Sequence, residues 1–178
     1  LYENYKGEST KFTMCLVLIE TLKENGKKVL LFSSFTSIFD SFIEEFKQRG
    51  IKYHMITGAV DKKKRKEEVD AFQSDDSDVF LISLKAGGTG LNLTKAQAVI
   101  HYDPWWNVSA QNQATDRAYR IGQTKNVLVY QLLMKNTIEA KIYEMQKRKK
   151  EMSDIFVENS NGGISTLSKE ELRDLFSM

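Results

Sequence analysis

The chain has 178 residues, of which 41% are hydrophobic and 28% charged, and its 26 Lys and Arg against 24 Asp and Glu give a net charge of +2. This length suits a single domain with a sizeable core, and so small a charge does not by itself indicate a polyanionic partner. The single cysteine and two histidines exclude a disulfide framework, a Cys-based zinc site and a His-rich metal centre. Because no apolar run approaches the roughly 18 residues of a membrane span and no signal peptide opens the chain, we expect a soluble protein of a reducing, intracellular compartment.

Helical and strand periodicities then alternate along the first 134 residues. The patterns predict helices at 10–25, 36–49, 61–73 and 109–120, and strands at 28–32, 52–56, 79–83, 98–102 and 127–134. Such alternation predicts βαβ units and a parallel sheet, in which ligands gather at the carboxyl ends of the strands. The loops that begin at Ser33, Thr57, Ser83 and Asp103 should therefore share one edge.

The pattern changes after Thr137. The spacing of apolar residues predicts one long helix that contains a basic stretch at 147–150. Residues 159–163 have the composition of a linker, and a capping-box pattern near Ser168 predicts a short last helix. We therefore expect a sheet lobe over residues 1–136 and a helical appendage over 137–178.

A glycine-rich loop follows the strand that ends at Ser83. It has three glycines within four positions, Gly87, Gly88 and Gly90, and such a loop lets backbone N–H groups approach a phosphate. It lacks the Gly-Lys-Ser/Thr end of a Walker A loop, and no other segment of the chain offers one. The alternative is a tight turn without a ligand.

Three polar side chains share one face of the predicted helix at 109–120. Gln113, Arg117 and Arg120 lie at i, i+4 and i+7, and two guanidinium groups suit an anion with several oxygens, such as a nucleotide γ-phosphate. The alternative is a solvated helix in which Asp116 pairs with Arg120.

Two further segments concentrate unusual residues. Trp105 and Trp106 are adjacent in the loop that begins at Asp103, so at least one should reach the surface, unless both cover the end of the sheet. Residues 62–66 place five basic side chains at the start of a helix, where positive charge opposes the macrodipole. A phosphate backbone would offset this repulsion, whereas the alternative is an ordinary solvated face.

In order, these segments resemble motifs IV to VI in the second RecA-like lobe of Swi/Snf-type helicase-like ATPases of superfamily two. The resemblance covers about residues 11–150. The resemblance rests on five segments in chain order: residues 28–35, Thr57 and Gly58 together with Arg65, residues 83–93, residues 103–107 and residues 113–123. Of these, the Asp103-Pro-Trp-Trp-Asn107 string and the block that ends in Arg120-Ile-Gly-Gln123 are the most specific. Lys85 departs from the family, in which Arg is usual at that position.

The resemblance implies an α/β fold, a three-layer RecA-like (P-loop NTPase-like) parallel sheet with helices on both faces, followed by a brace helix. It also implies site residues. Arg117 and Arg120 are the expected arginine fingers, Gln113 orients the nucleotide or water, and Gly88 and Gly90 lie at the cleft between the lobes. The expected DNA contacts are Ser33, Ser34, Thr57, Gly58, Lys85 and Trp106.

The function that the resemblance implies is the second ATPase lobe of an ATP-dependent duplex-DNA translocase. ATP and Mg²⁺ would be held mainly by an N-terminal RecA-like lobe of the same polypeptide, so the chain alone should be an inactive monomer. The start at Leu1 leads us to expect a piece of a longer protein. Alternatives are an inactive nucleic-acid-binding or protein-binding module and, less in keeping with the motifs, an RNA helicase. We expect a cytoplasmic, nucleoid-associated protein if it is prokaryotic, which the compact motif spacing favours, and a nuclear one otherwise.

Overall fold

A computed structural model describes residues 9–87, 91–103, 126–145 and 147–148. The helices are α1 (Thr10–Glu24), α2 (Ser37–Gln48), α3 (Lys62–Ser74), the single turn α4 (Leu84–Gly87) and α5, which covers 138–145. The strands are β1 (Lys28–Ser33), β2 (Tyr53–Ile56), β3 (Val79–Ser83), β4 (Ala96–His101) and β5 (Leu128–Gln131).

The five strands form one sheet in the order β2-β3-β1-β4-β5, and every neighbouring pair is parallel. Parallel strands require crossover connections, and α2 and α3 supply those from β1 to β2 and from β2 to β3. The central strands β1 and β3 are almost wholly buried, because they consist of short apolar runs covered on both faces. The predicted parallel α/β sheet is therefore confirmed.

Helices cover both faces of the sheet. On one face, α1 and α2 pack against alternate strand residues such as Leu31, Leu81 and Ile100. On the other face, α3 packs through Val69 and Phe72 against the residues of opposite parity. The result is the three-layer α/β fold that the family resemblance predicted.

The ends of the first two helices follow local sequence signals. The hydroxyl of Ser9 accepts a hydrogen bond from the backbone N–H of Phe12 at the start of α1. Gly26 and Gly50 follow α1 and α2 with φ of 65° and 60°, a conformation that glycine adopts without steric cost. Thr36 occupies the N-cap position of α2, as predicted, but its side chain makes no capping hydrogen bond.

Three sequence predictions need correction in detail. The last strand is shorter than the predicted 127–134, because β5 pairs only with the four residues of β4 that face it and the chain turns at Asn136, where φ is 59°. The segment after Ser83 begins with the helical turn α4 rather than with an irregular loop. The strand predicted at 98–102 begins two residues earlier, at Ala96. The helix predicted at 109–120 lies outside the described residues.

Candidate functional site

The carboxyl ends of four strands lie level at one edge of the sheet. Phe32 is in register with Ile82 on one side and His101 on the other, and Ile82 is in register with Ile56. Adjacent strands are about 4.8 Å apart, so four loops leave the sheet within about 15 Å of one another. The shared edge predicted for these loops is confirmed, and we call it the carboxyl edge.

Asp103 connects two of these loops. Its carboxylate Oδ2 accepts a hydrogen bond of 2.8 Å from the Ser33 hydroxyl and one of 2.6 Å from the Ser34 backbone N–H. The Ser33 hydroxyl in turn accepts one from the Phe35 N–H at 3.1 Å. A buried carboxylate with two donors is a strong anchor, because hydrogen bonds to an ionised acceptor are short and strong. The start of the Asp103 loop is thereby fixed to the turn after β1.

The two predicted DNA-contacting serines differ in exposure. Ser33 is fully buried, and its hydroxyl donates a hydrogen bond to Asp103 inside the protein. Ser34 is exposed, as are Phe35 and Thr36. The chain therefore presents Ser34 at the surface while Ser33 holds the turn in place, a division of roles that the sequence did not reveal.

The second predicted contact region follows β2. Thr57 is half-buried and Gly58 is exposed, and the Thr57 carbonyl accepts a hydrogen bond from Val60 N–H at 3.2 Å. A Cβ placed on Gly58 would meet no heavy atom within 4 Å, so the backbone at this turn faces open space. A ligand can approach the main chain closely at such a position.

Of the other site residues that the sequence singled out, only one lies in the described part. Lys85 is the second residue of α4 and directly follows the end of β3, so its backbone lies at the carboxyl edge. Gly88, Gly90, Trp106, Gln113, Arg117 and Arg120 lie outside the described residues.

Sequence reasoning missed a cluster built around His54. Its Nδ1 lies 2.7 Å from Glu68 and its Nε2 lies 2.6 Å from Asp75, so one imidazole on β2 bridges two carboxylates on and just after α3. Burial lowers the pKa of His54, but the hydrogen bonds to Asp75 and Glu68 outweigh it and the net shift is upward. Burial works against ionisation of Asp75 as well, yet bonds from Ser77 and His54 leave its pKa below the usual range.

The other histidine behaves in the opposite way. His101 is almost fully buried at the end of β4 and stacks on Phe32, with 5.5 Å between the ring centroids. Burial lowers the pKa of His101 to about 4, so its imidazole is neutral near pH 7. Cys15 is fully buried on α1, and burial raises the pKa of its thiol to about 12, so it stays protonated near pH 7.

Two kinds of nucleotide-binding feature are relevant here, a metal site and a phosphate-binding loop. Among the described residues, no group of three or more His, Cys, Asp or Glu side chains is arranged to hold a metal ion. The whole sequence also lacks a Walker A loop to cradle a triphosphate. Within the described ranges, no helix is both long and apolar enough to cross a membrane.

Comparisons with known proteins identify relatives for nearly the whole chain. The family model of the helicase conserved C-terminal domain matches residues 10–122. An ATP-dependent helicase of Mycoplasma pneumoniae is 44% identical over 170 residues, which are 94% of this chain and 16% of that protein. The human chromatin-remodeling ATPase INO80 is 39% identical over 174 residues, 97% of this chain and 11% of that protein. The chain thus spans less than a fifth of the length of these relatives.

A solved structure supports the same relationship. The crystal structure of the C-terminal part of the Fun30 ATPase domain superposes with a TM-score of 0.75 and is 35% identical in sequence. The match covers 81% of this chain and 47% of the Fun30 chain.

Proposed function

Since the chain belongs to the helicase conserved C-terminal domain family, as the C-terminal lobe of a Snf2-like helicase, we propose that it is the second ATPase lobe of an ATP-dependent duplex-DNA translocase. It works with an N-terminal RecA-like lobe of the same polypeptide, which holds ATP and Mg²⁺. If the protein is bacterial, as its relative from Mycoplasma pneumoniae is, its location is cytoplasmic and nucleoid-associated, and if it is eukaryotic its location is nuclear.

The observation that carries this proposal is the anchor at Asp103. Ser34 is exposed at the carboxyl edge, and its backbone N–H donates to the carboxylate at the start of the loop that carries Trp106. That loop leads along the chain to Gln113, Arg117 and Arg120. A DNA phosphate bound at Ser34 would thus lie one hydrogen bond away from Asp103, and Asp103 begins the segment that carries the proposed nucleotide-contacting residues.

DNA contacts in this proposal are made to phosphates rather than to bases. Ser34 and the turn at Thr57 and Gly58 offer hydroxyls and open backbone, and Lys85 adds positive charge at the end of β3. Groups of these kinds bind the backbone without reading base edges, as a translocase requires. Trp106 couples the bound strand to closure of the lobes.

Arg117 and Arg120 act as the arginine fingers. In phosphoryl transfer the γ-phosphoryl group loosens from the leaving oxygen, and negative charge spreads over its equatorial oxygens. Two planar guanidinium groups on one helical face donate to those oxygens while Gln113 orients the attacking water. Gly88 and Gly90 let the backbone approach the nucleotide across the cleft.

The test is alanine substitution of Arg117 or Arg120 in the full polypeptide, with DNA-stimulated ATP hydrolysis as the measurement. We expect turnover to fall about a thousandfold or more while DNA affinity stays nearly unchanged. Arg→Lys variants should recover little, because a point charge does not reproduce the fork.

Arg49→Ala is the matched control. Arg49 forms surface ion pairs with Glu20 and Glu45, so its loss removes a guanidinium far from the proposed cleft. Normal hydrolysis in both finger variants would refute the assignment. A wild-type polypeptide that binds DNA but does not hydrolyse ATP would favour a lobe that kept the fold as a binding module.

A further inference from the structure

The first turns of α3 carry an exposed cluster of lysines, Lys62, Lys63, Lys64 and Lys66, which we call the α3 lysine cluster. Among the described residues, none of the four ammonium groups has a carboxylate partner, although Glu67 lies four residues after Lys63 and Asp70 four after Lys66. By contrast, Lys11, Lys23, Lys28 and Lys52 all form ion pairs. The cluster is therefore concentrated and unneutralised positive charge.

This arrangement is unfavourable for the isolated helix. Positive charge in the first turn opposes the helix macrodipole, and the first turn of α3 has no acidic residue. The carboxylate of Asp61 already accepts from the N–H groups of Lys63 and Lys64, at 2.8 and 2.9 Å. Asp61 thus satisfies two of the backbone N–H groups at this helix end, and the lysine side chains are exposed above it.

The cluster extends the carboxyl edge outward. Four residues separate the end of β2 at Ile56 from Asp61, which caps α3, and they include Thr57 and Gly58. The ends of β1 and β2 are two strand spacings apart, about 10 Å, which is about the axial rise of three base pairs of duplex DNA. The lysines therefore follow the proposed contacts at Thr57 and Gly58 within a few residues along the chain.

The other half of α3 is fixed firmly to the sheet. Val69 and Phe72 are buried, Glu68 contacts His54, and the Lys28 ammonium donates to the carbonyls of Phe72 and Asp75 at 2.6 and 2.7 Å. A ligand bound at the lysine cluster would therefore be held by a helix that is packed firmly against the sheet.

We propose that the α3 lysine cluster is an additional, sequence-independent binding site for the duplex-DNA backbone. This inference rests on the proposed translocase function and extends its DNA contacts along the duplex. An acidic protein is the less suitable partner, because protein interfaces have an apolar centre. None of the large hydrophobic side chains exposed in the described part lies between Thr57 and Ser74. Lysines without apolar neighbours suit a phosphate backbone.

The test compares two triple variants of the full polypeptide, each with three positive charges removed. Lys62→Gln/Lys63→Gln/Lys64→Gln removes part of the cluster. Lys27→Gln/Lys47→Gln/Lys95→Gln is the control, since Lys27 and Lys95 precede β1 and β4 and Lys47 lies in the last turn of α2. Binding to mixed-sequence duplex DNA is measured by fluorescence anisotropy over a range of salt concentrations.

We expect the cluster variant to bind duplex DNA at least about tenfold more weakly at 0.1 M salt. The plot of log K against log salt should also become less steep, by about 2 to 3 in slope, because each lost phosphate contact removes about 0.9. The control should keep the wild-type slope. Equal salt slopes in the two variants would overturn the inference. It would also be overturned if the cluster variant lost affinity for poly-glutamate, a probe for an acidic protein partner, but kept its affinity for DNA. Failure of the wild-type polypeptide to bind DNA would instead refute the proposed function.

Discussion

The imidazole of His54 joins β2 to α3 through two carboxylates. Its side chain is 17% exposed, and its ring also packs edge-on against Phe72 and Phe80. Lys28 approaches the same Asp75 carboxylate at 3.5 Å. Because both ring nitrogens face carboxylates, only the protonated ring can donate to both. This contact should therefore weaken when His54 loses its proton.

We expect His54→Gln to lower the free energy of unfolding by about 1 to 2 kcal/mol near pH 6, and by less at pH 9. The folded-state pKa is raised, so the stabilisation is complete below the unfolded-state value of about 6.5 and disappears as pH rises through the folded-state value. Urea denaturation of both proteins from pH 5.5 to 9 measures this difference.

His101 does not interfere with that comparison. Its folded-state pKa is lowered, so it reduces stability as pH falls below about 6.5, opposite in sense to His54. Since His101 is present in both proteins, its contribution cancels in the difference. A stability difference that does not change across this pH range would show that His54 acts only through packing.

At the scale of elements, one ion pair joins the first and last described helices. The Lys11 ammonium on α1 donates to both carboxylate oxygens of Glu139 on α5, at 2.7 and 2.8 Å, and lies 4.9 Å from the centroid of the Tyr102 ring. The Lys11 side chain is only 7% exposed. Glu139 also accepts a hydrogen bond from the Met134 N–H at 3.2 Å. This contact fixes the start of α5 against the sheet lobe.

We expect Lys11→Met to lower the free energy of unfolding by about 1 to 3 kcal/mol, because it leaves a partly buried carboxylate without its partner. A double-mutant cycle with Glu139→Gln should give a coupling energy of about 1 to 2 kcal/mol. The control cycle is Lys52 with Asp76, an ion pair 63% and 78% exposed, for which we expect less than about 1 kcal/mol. Equal coupling in the two cycles would contradict a special role for Lys11.

These contacts also mark the limit of what the sequence predicts. The helices and strands were recognisable because their apolar residues recur at local spacings, as in β3 and α2, and because Gly26 and Gly50 end helices. The partners of Lys11 and Asp103 were not recognisable, since they lie 128 and 70 residues away along the chain and no periodicity links them. The common carboxyl edge could be predicted, because parallel strands end on the same side of a sheet. The burial of Ser33 could not be predicted, because it depends on the contact with Asp103.

For the whole molecule, the described sheet presents the ends of four strands at one edge, and on the proposed function this edge is one side of the active site. Its carboxyl edge is built from loops after four strands, and the whole sequence contains no phosphate-binding Walker A loop. The appendage predicted from residue 137 onward stays a prediction beyond the described part of α5. On the proposed function, catalysis therefore depends on a second lobe that closes on this edge.

We accordingly expect the 178-residue chain alone to show no DNA-stimulated ATP hydrolysis and to bind ATP only weakly, with little dependence on Mg²⁺. The physical reason is that arginine side chains stabilise charge that develops in the transition state, whereas ground-state affinity comes mainly from a phosphate cradle and a metal site. The sequence has no Walker A loop, and no metal-binding group of His, Cys, Asp or Glu side chains is found among the described residues. Isothermal titration calorimetry with and without Mg²⁺ measures the affinity, and joining the chain to its N-terminal lobe should restore both binding and turnover. Tight, Mg²⁺-dependent binding by the chain alone would mean that it contains a complete nucleotide site, and the division of labour between two lobes would have to be abandoned.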